Sequence, residues 1–186
     1  MLVYHGTILK YAYNIISNGI DLSNSKQYLD FGIGFYTTDN YEMATNMAKR
    51  VAAYETKKIN INYAFPSIVH FEYTENKELK YKVFEKNDVE WARFIIANRV
   101  TPQTADRLGL VDNNYNHQYD IVIGGTADGS IAGKAAALRY GRLKPDEYQI
   151  ELSDFLKRDG SSYGKQIAFC TEQSLGCIKY IKCDII

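Results

Sequence analysis

The chain holds 186 residues, 46% of them hydrophobic and 24% charged, which is enough for one compact domain over residues 1–186 and too little for two. Lysine plus arginine and aspartate plus glutamate are equal at 22 each, so no global field draws the chain to nucleic acid or to an acidic membrane. No stretch approaches the ~20 apolar residues of a membrane span and no basic segment leads into a long apolar run, so a soluble, cytoplasmic protein with no membrane partner is expected.

In chain order, Leu2 to His5 reads as a strand that runs into a turn at Gly6, where the peptide groups are sterically open and Thr7 adds a hydroxyl. A planar amide fits the backbone donor and acceptor of such a turn. Leu9 to Asn18 is an amphipathic helix closed by Gly19. Phe31-Gly32-Ile33-Gly34 then bends the chain into an extended Phe35-Tyr36-Thr37-Thr38 run that aims Tyr36 off one face. Taken alone, this Gly-x-Gly is ordinarily a turn, because the third glycine and following helix of a dinucleotide fingerprint are missing.

Asp39 is the expected N-cap of a helix through about Lys57, whose residues Met43, Met47, Val51 and Tyr54 follow helical spacing as a core stripe would. Ile68 to Tyr73 alternates as a strand, and Leu79 to Phe84 is expected to pair with it across the turn-like Thr74-Glu75-Asn76-Lys77. Asp88 caps a helix carrying Trp91, Phe94, Ile95 and Asn98, and Tyr119 to Gly124 is a buried-type strand. Ser130 to Arg142 and Pro145 to Lys157 read as helices, and the chain closes with strands at Gln166–Thr171 and Ile178–Ile185. A mixed α+β domain follows. Cys170, Cys177 and Cys183 form an odd set without a CxxC pair or a matched histidine, as expected of reduced buried thiols and not of a metal site.

Tyr4-His5-Gly6-Thr7, then Ile15-Ile16-Ser17-Asn18-Gly19-Ile20, then Phe31 to Tyr36 followed by Asp39, agree in order and spacing with a known pattern. Over residues 1 to about 50 the chain resembles the poly(ADP-ribose) polymerase (PARP) branch of the ADP-ribosyltransferase superfamily. More narrowly, it resembles a bacterial family of uncharacterised PARP-like domains of the DUF3990 type. That family shares the Trp91 to Arg99 helix pattern and the Tyr119 to Gly124 strand pattern. The resemblance implies an α+β fold of split mixed and antiparallel β-sheets with flanking helices. It also implies NAD as substrate.

In the resembled enzymes the imidazole bonds the adenosine ribose, the glycine backbone holds the carboxamide and the phenol packs against the nicotinamide end. Carried over, those roles fall to His5, Gly6 and Tyr36, with Thr7 and Gly34 assisting. The third motif is usually a Glu opening a later strand; its best match is Gln166, so the triad reads His5, Tyr36, Gln166. Glutamine bonds a ribose hydroxyl but carries no charge for a developing oxocarbenium cation. Glu172 is the nearest carboxylate in the segment, but it follows the strand and reads as a helix-start residue. At the offsets where the polymerases place a hydroxyl residue and a stacking tyrosine, this chain has Ala44 and Met47, and Met47 serves either as a soft apolar wall or as core. Arg99 is assigned to a surface or cap contact, with the ligand pyrophosphate as the alternative.

Each site residue has a plainer reading. An isolated strand-end histidine is ordinarily structural, and Tyr36 is one of 16 tyrosines; the flanking glycines and the agreement of both motifs favour the functional reading. The expected activity is mono-ADP-ribosyl transfer from NAD with release of nicotinamide. Its alternatives are a non-catalytic NAD or ADP-ribose module and an RNA 2′-phosphotransferase-like enzyme. Neutral charge does not favour a nucleic-acid acceptor, so a protein is expected ahead of nucleic acid with a small molecule also open, and the resemblance suggests a toxin or defence role with a neutralising protein partner. His70 and His117 are read as incidental.

Overall fold

The chain is described by a computed structural model at residues 1–59, 64–127, 129–142 and 164–186. The first strand, β1 (Leu2–Ile8), leads straight into α1 (Leu9–Asn18), which Gly19 ends at φ +84° by donating its N–H to the Ile15 carbonyl. After a 3₁₀ turn at Leu22–Asn24 come β2 (Phe35–Thr38), α2 (Tyr41–Ile59), β3 (Pro66–Tyr73) and β4 (Tyr81–Val83). Then follow α3 (Val89–Arg99), α4 (Pro102–Arg107), β5 (Ile121–Gly125), α5 (Gly129–Arg139), β6 (Lys165–Phe169), α6 (Glu172–Leu175) and β7 (Ile178–Ile185). The protein is a mixed α+β structure, with one seven-stranded sheet in the order β4-β5-β6-β2-β1-β3-β7. Among the described residues all pairs are antiparallel except β4 with β5.

Period-two alternation gives the sheet two apolar faces. On one, Val3, Phe35, Val69, Phe71, Ile121, Ile167 and Phe169 pack with Ala12 of α1. On the other, Val122 and Ala168 pack beneath Trp91, Phe94, Ile95 and Ile96 of α3 and Ile131 and Ala135 of α5. Along the same second face α2 lies on β1 and β3 through Ala44, Ala48 and Ile68. Small residues set that approach: a Cβ added at Gly6 would sit 2.0 Å from the Ala44 carbonyl oxygen. Gly6 is therefore required by helix packing, whatever else it does.

The sheet narrows at one place. β2 pairs β6 along its whole length, Phe35↔Phe169 to Thr38↔Gln166, and β1 pairs β3 along its whole length, Leu2↔Glu72 to Ile8↔Pro66. β1 and β2 share one pair, Tyr4↔Thr38. Beyond it the two strands part, and the β2-facing edge of β1 from His5 onward has no strand partner among the described residues.

Several expectations are corrected. Leu79 to Phe84 does not pair with Ile68 to Tyr73: Asp120 accepts from the Lys80 N–H through Oδ2 and returns its own N–H to the Lys80 carbonyl, which seats β4 parallel on β5. Asn40, not Asp39, caps α2, because its Oδ1 accepts from the Met43 N–H. The buried stripe of α2 is Ala44, Ala48, Ala52 and Glu55, whereas Met47 and Tyr54 are exposed. α4 had no counterpart in the expected elements, although Thr101 caps it ahead of a proline in its first turn. The helix expected at Pro145–Lys157 lies outside the described residues.

Candidate functional site

The three motif residues arrive on three consecutive strands: Gln166 on β6, Tyr36 on β2 and His5 with Gly6 on β1. Tyr36 and Gln166 project from the α3 face, where Tyr36 joins the Phe31 cluster and pairs with Ala168, two residues along β6 from Gln166. His5 projects from the α1 face, stacked on Phe35 with ring centroids 4.4 Å apart. The imidazole and the phenol thus leave the sheet on opposite sides, and what joins them is the parting of β1 from β2. There His5 Nδ1 reaches the carbonyl oxygen of Tyr36 at 2.7 Å. A carbonyl can only accept, so Nδ1 carries the hydrogen and Nε2 presents a lone pair. Burial, opposed by that carbonyl, lowers the imidazole's pKa, and the ring is neutral at neutral pH.

The phenol is committed. Tyr36 Oη donates to the Gly32 carbonyl at 2.7 Å and accepts from the Phe31 N–H at 2.9 Å, so it closes the loop that precedes it. Desolvation raises its pKa well above the usual phenol range, helped by nearby Cys170 and Asp30. What Tyr36 offers a ligand is its ring. Gly34 is committed as well: Ser25 Oγ takes its N–H and donates to its carbonyl, both at 3.0 Å, and an added Cβ would lie 2.9 Å from the Phe169 carbonyl oxygen. Gly32, at φ +84°, packs on Asn114 and Asn98. Asn98 in turn accepts from the Asn114 N–H, and Asn114 donates to the Phe31 and Tyr119 carbonyls. The loop is braced from every side.

Behind it lies a polar chain that sequence reading missed in part. Gln166 is buried, and its Nε2 donates to Asp30 Oδ2 at 2.9 Å and to the Gly125 carbonyl at 3.4 Å. The other oxygen of Asp30 accepts from Arg99 Nε at 2.5 Å. Arg99 is thus no surface or cap contact; it closes an Arg99–Asp30–Gln166 row. Asp30 directly precedes the Phe31 motif, a position where a lone aspartate looks like a turn residue, and its partners lie 69 and 136 residues away in sequence. Trp91 Nε1 also donates to the Gly125 carbonyl, so α3 holds both ends of this network.

The remaining expected site residues divide. Thr7 is buried beside His5 on the α1 face, and Met47 is exposed on α2, free of the core role its spacing allowed. Met43, one turn earlier, sits at the start of β6, its sulfur reached by the hydroxyls of Thr38 and Thr126. Glu172 opens α6 behind the Thr171 cap, at the opposite end of β6 from Gln166. His70 is 2.8 Å from Asp184 through Nε2 and contacts the rings of Tyr4 and Tyr41, so it belongs to a packed cluster. Cys170 and Cys177 are buried, Cys183 is half-buried, and none is bridged. Burial pushes the Cys170 thiol up to about 12. Among the described residues no group of three or more His, Cys, Asp or Glu is placed to hold a metal, and no helix is long and apolar enough to cross a membrane.

A splayed mixed sheet with a braced glycine loop on one lip and, behind it, a row of half-buried Arg99 and buried Asp30 and Gln166 defines an α+β protein with a polar centre at a strand junction. The chain belongs to the family described as protein of unknown function (DUF3990), which matches residues 1–180. No curated protein and no solved structure matches it.

Proposed function

We propose that the protein is a PARP-like mono-ADP-ribosyltransferase that binds NAD at the parting of β1 and β2, with the split-sheet fold of ADP-ribosyltransferases. The observation that carries this reading is the edge of β1 at Gly6, left without a strand partner among the described residues, with His5, Tyr36 and Gln166 on the three neighbouring strands that border it, His5 on one face of the sheet and Tyr36 and Gln166 on the other. That edge supplies the backbone donor and acceptor a carboxamide needs. His5 is neutral, with Nε2 as an acceptor for a ribose hydroxyl. Exposed Met47 forms a soft wall, and Arg99 meets the pyrophosphate.

In the reaction the bond between C1′ of the ribose and the pyridinium nitrogen breaks, and its electron pair leaves with neutral nicotinamide. The acceptor's nucleophile gives a pair to C1′ and its proton to solvent. Through this loose, cationic transition state the protein's part is to hold the dinucleotide bent and dry. Gln166 orients the ribose by accepting from a hydroxyl.

The acceptor is proposed to be a protein side chain, in keeping with equal acidic and basic content. The setting is proposed to be cytoplasmic, in a bacterial toxin or defence pair with a neutralising protein. Incubation with labelled NAD tests the reading: released nicotinamide or a labelled product supports it, and neither appearing refutes it. A second reading, a binding module without turnover, is favoured by the amide, in place of a carboxylate, at position 166. Tight NAD binding by calorimetry with no nicotinamide released would select it.

A further inference from the structure

The amide of Gln166 is not free to choose its orientation. Nε2 has two hydrogens, and they point at Asp30 Oδ2 (2.9 Å) and the Gly125 carbonyl (3.4 Å), both acceptors. Turning the amide over would set Oε1 against a carboxylate and a carbonyl, a repulsive arrangement for a buried group. Oε1 is therefore the atom left to accept a hydrogen bond from outside the row. The group enforcing this is Asp30, 6% exposed, itself fixed by Arg99 Nε and by a chain position anchored one residue on, where the Phe31 N–H donates to Tyr36 Oη.

We propose that Asp30 is the carboxylate of the site and acts through Gln166: it locks Oε1 toward the nicotinamide ribose and supplies, one amide away, the negative charge that position 166 lacks. Asp30 is a positioning residue, since both its oxygens are occupied within the protein. This inference rests on the reading that the site binds and cleaves NAD. It differs from a glutamate displaced along the chain, such as Glu172, because the charge comes from the residue immediately before the glycine loop, 136 residues from Gln166. Arg99 balances Asp30 in the free protein, and pyrophosphate bound at Arg99 shares that cation.

The test uses the full chain with NAD, water serving as acceptor, in four forms: wild type, Asp30→Asn, Gln166→Glu and the double variant. Nicotinamide release gives kcat and KM, and calorimetry gives the Kd for NAD. Asp30→Asn is nearly isosteric and is expected to lower kcat about a hundredfold, with Kd changed less than about threefold. Gln166→Glu alone sets two carboxyl groups against each other with no donor between them, so its kcat is expected to fall about as far as that of Asp30→Asn. In the double variant the two groups have traded places: the amide now at position 30 donates to the carboxylate now at position 166, whose oxygen also faces the Gly125 carbonyl, and kcat is expected to recover in part, to at least about tenfold above the slower single variant.

Wild-type kcat in Asp30→Asn, or a double variant no faster than the slower single one, overturns the inference while the NAD reading stands. If Asp30→Asn fails to fold, the double variant decides: a kcat at least about tenfold above that of Gln166→Glu supports the inference, and one no faster overturns it. A wild-type protein that neither binds NAD nor releases nicotinamide overturns both.

Discussion

His5 Nδ1 and the carbonyl oxygen of Tyr36 lie 2.7 Å apart, and this hydrogen bond spans the gap where β1 and β2 separate. A side chain does there what a ladder of backbone bonds does elsewhere in the sheet, and the imidazole must be neutral to suit its buried place. Because its pKa is lowered on folding, the unfolded chain binds the proton more readily than the folded one. Its contribution to stability is fully present above the ordinary imidazole value of 6.5 and is lost as pH falls from there toward the folded value. Thermal melts are expected to show stability falling below about pH 6.5, by at most about 1.4 kcal/mol per pH unit from this group. His5→Asn should flatten that slope; an unchanged slope would place the titration elsewhere.

Gly6→Ala is expected to cost about 3 kcal/mol or more, because the new methyl would lie 2.0 Å from the Ala44 carbonyl oxygen and α2 must move off β1. Gly133→Ala is the contrast: at an exposed position of α5, where an added Cβ meets nothing within 4 Å, it should stabilise by about 0.5–1 kcal/mol. Urea unfolding of the two variants reads both signs.

Tyr36→Phe removes the hydroxyl that bridges Phe31 and Gly32 and leaves both backbone groups wanting a partner. A loss of about 1–3 kcal/mol follows. Amide exchange at Phe31 should quicken well beyond that of β6, and equal protection in the variant would show that the loop is held without the phenol.

Much of this arrangement was legible in the sequence where a local rule governs. α1 has the bounds its amphipathic period and closing Gly19 predict, and β7 those of its strand pattern. Asp88 caps α3 through the Trp91 N–H, as its place before that helix predicts. The errors fall where partners are distant. Nothing near Leu79 says that Asp120, 40 residues on from its neighbour Lys80, will claim that lysine's backbone. Likewise nothing beside Asp30 announces Arg99 or Gln166. The sequence presents Gly6 as open backbone and Gly32 and Gly34 as a bend, whereas each also has a packing partner that a side chain would displace. The α2 stripe was misjudged because Met is a plausible core residue at helical spacing, while the three alanines one position on allow the closer approach to β1.

Met47 offers a way to separate wall from core. It is 41% exposed, so Met47→Ala should leave stability within about 0.5 kcal/mol of the wild type. If it lines the nicotinamide subsite, Met47→Tyr should tighten NAD binding about three- to tenfold through ring stacking. Calorimetry showing no change in either variant would remove Met47 from the site.

Whether the parting of β1 and β2 holds a bent NAD is decided by a crystal structure of the protein soaked with NAD. The carboxamide is expected on the Gly6 backbone, and a hydroxyl of the nicotinamide ribose within hydrogen-bonding distance of Gln166 Oε1. Ligand density elsewhere, with that edge of β1 bare, would contradict it.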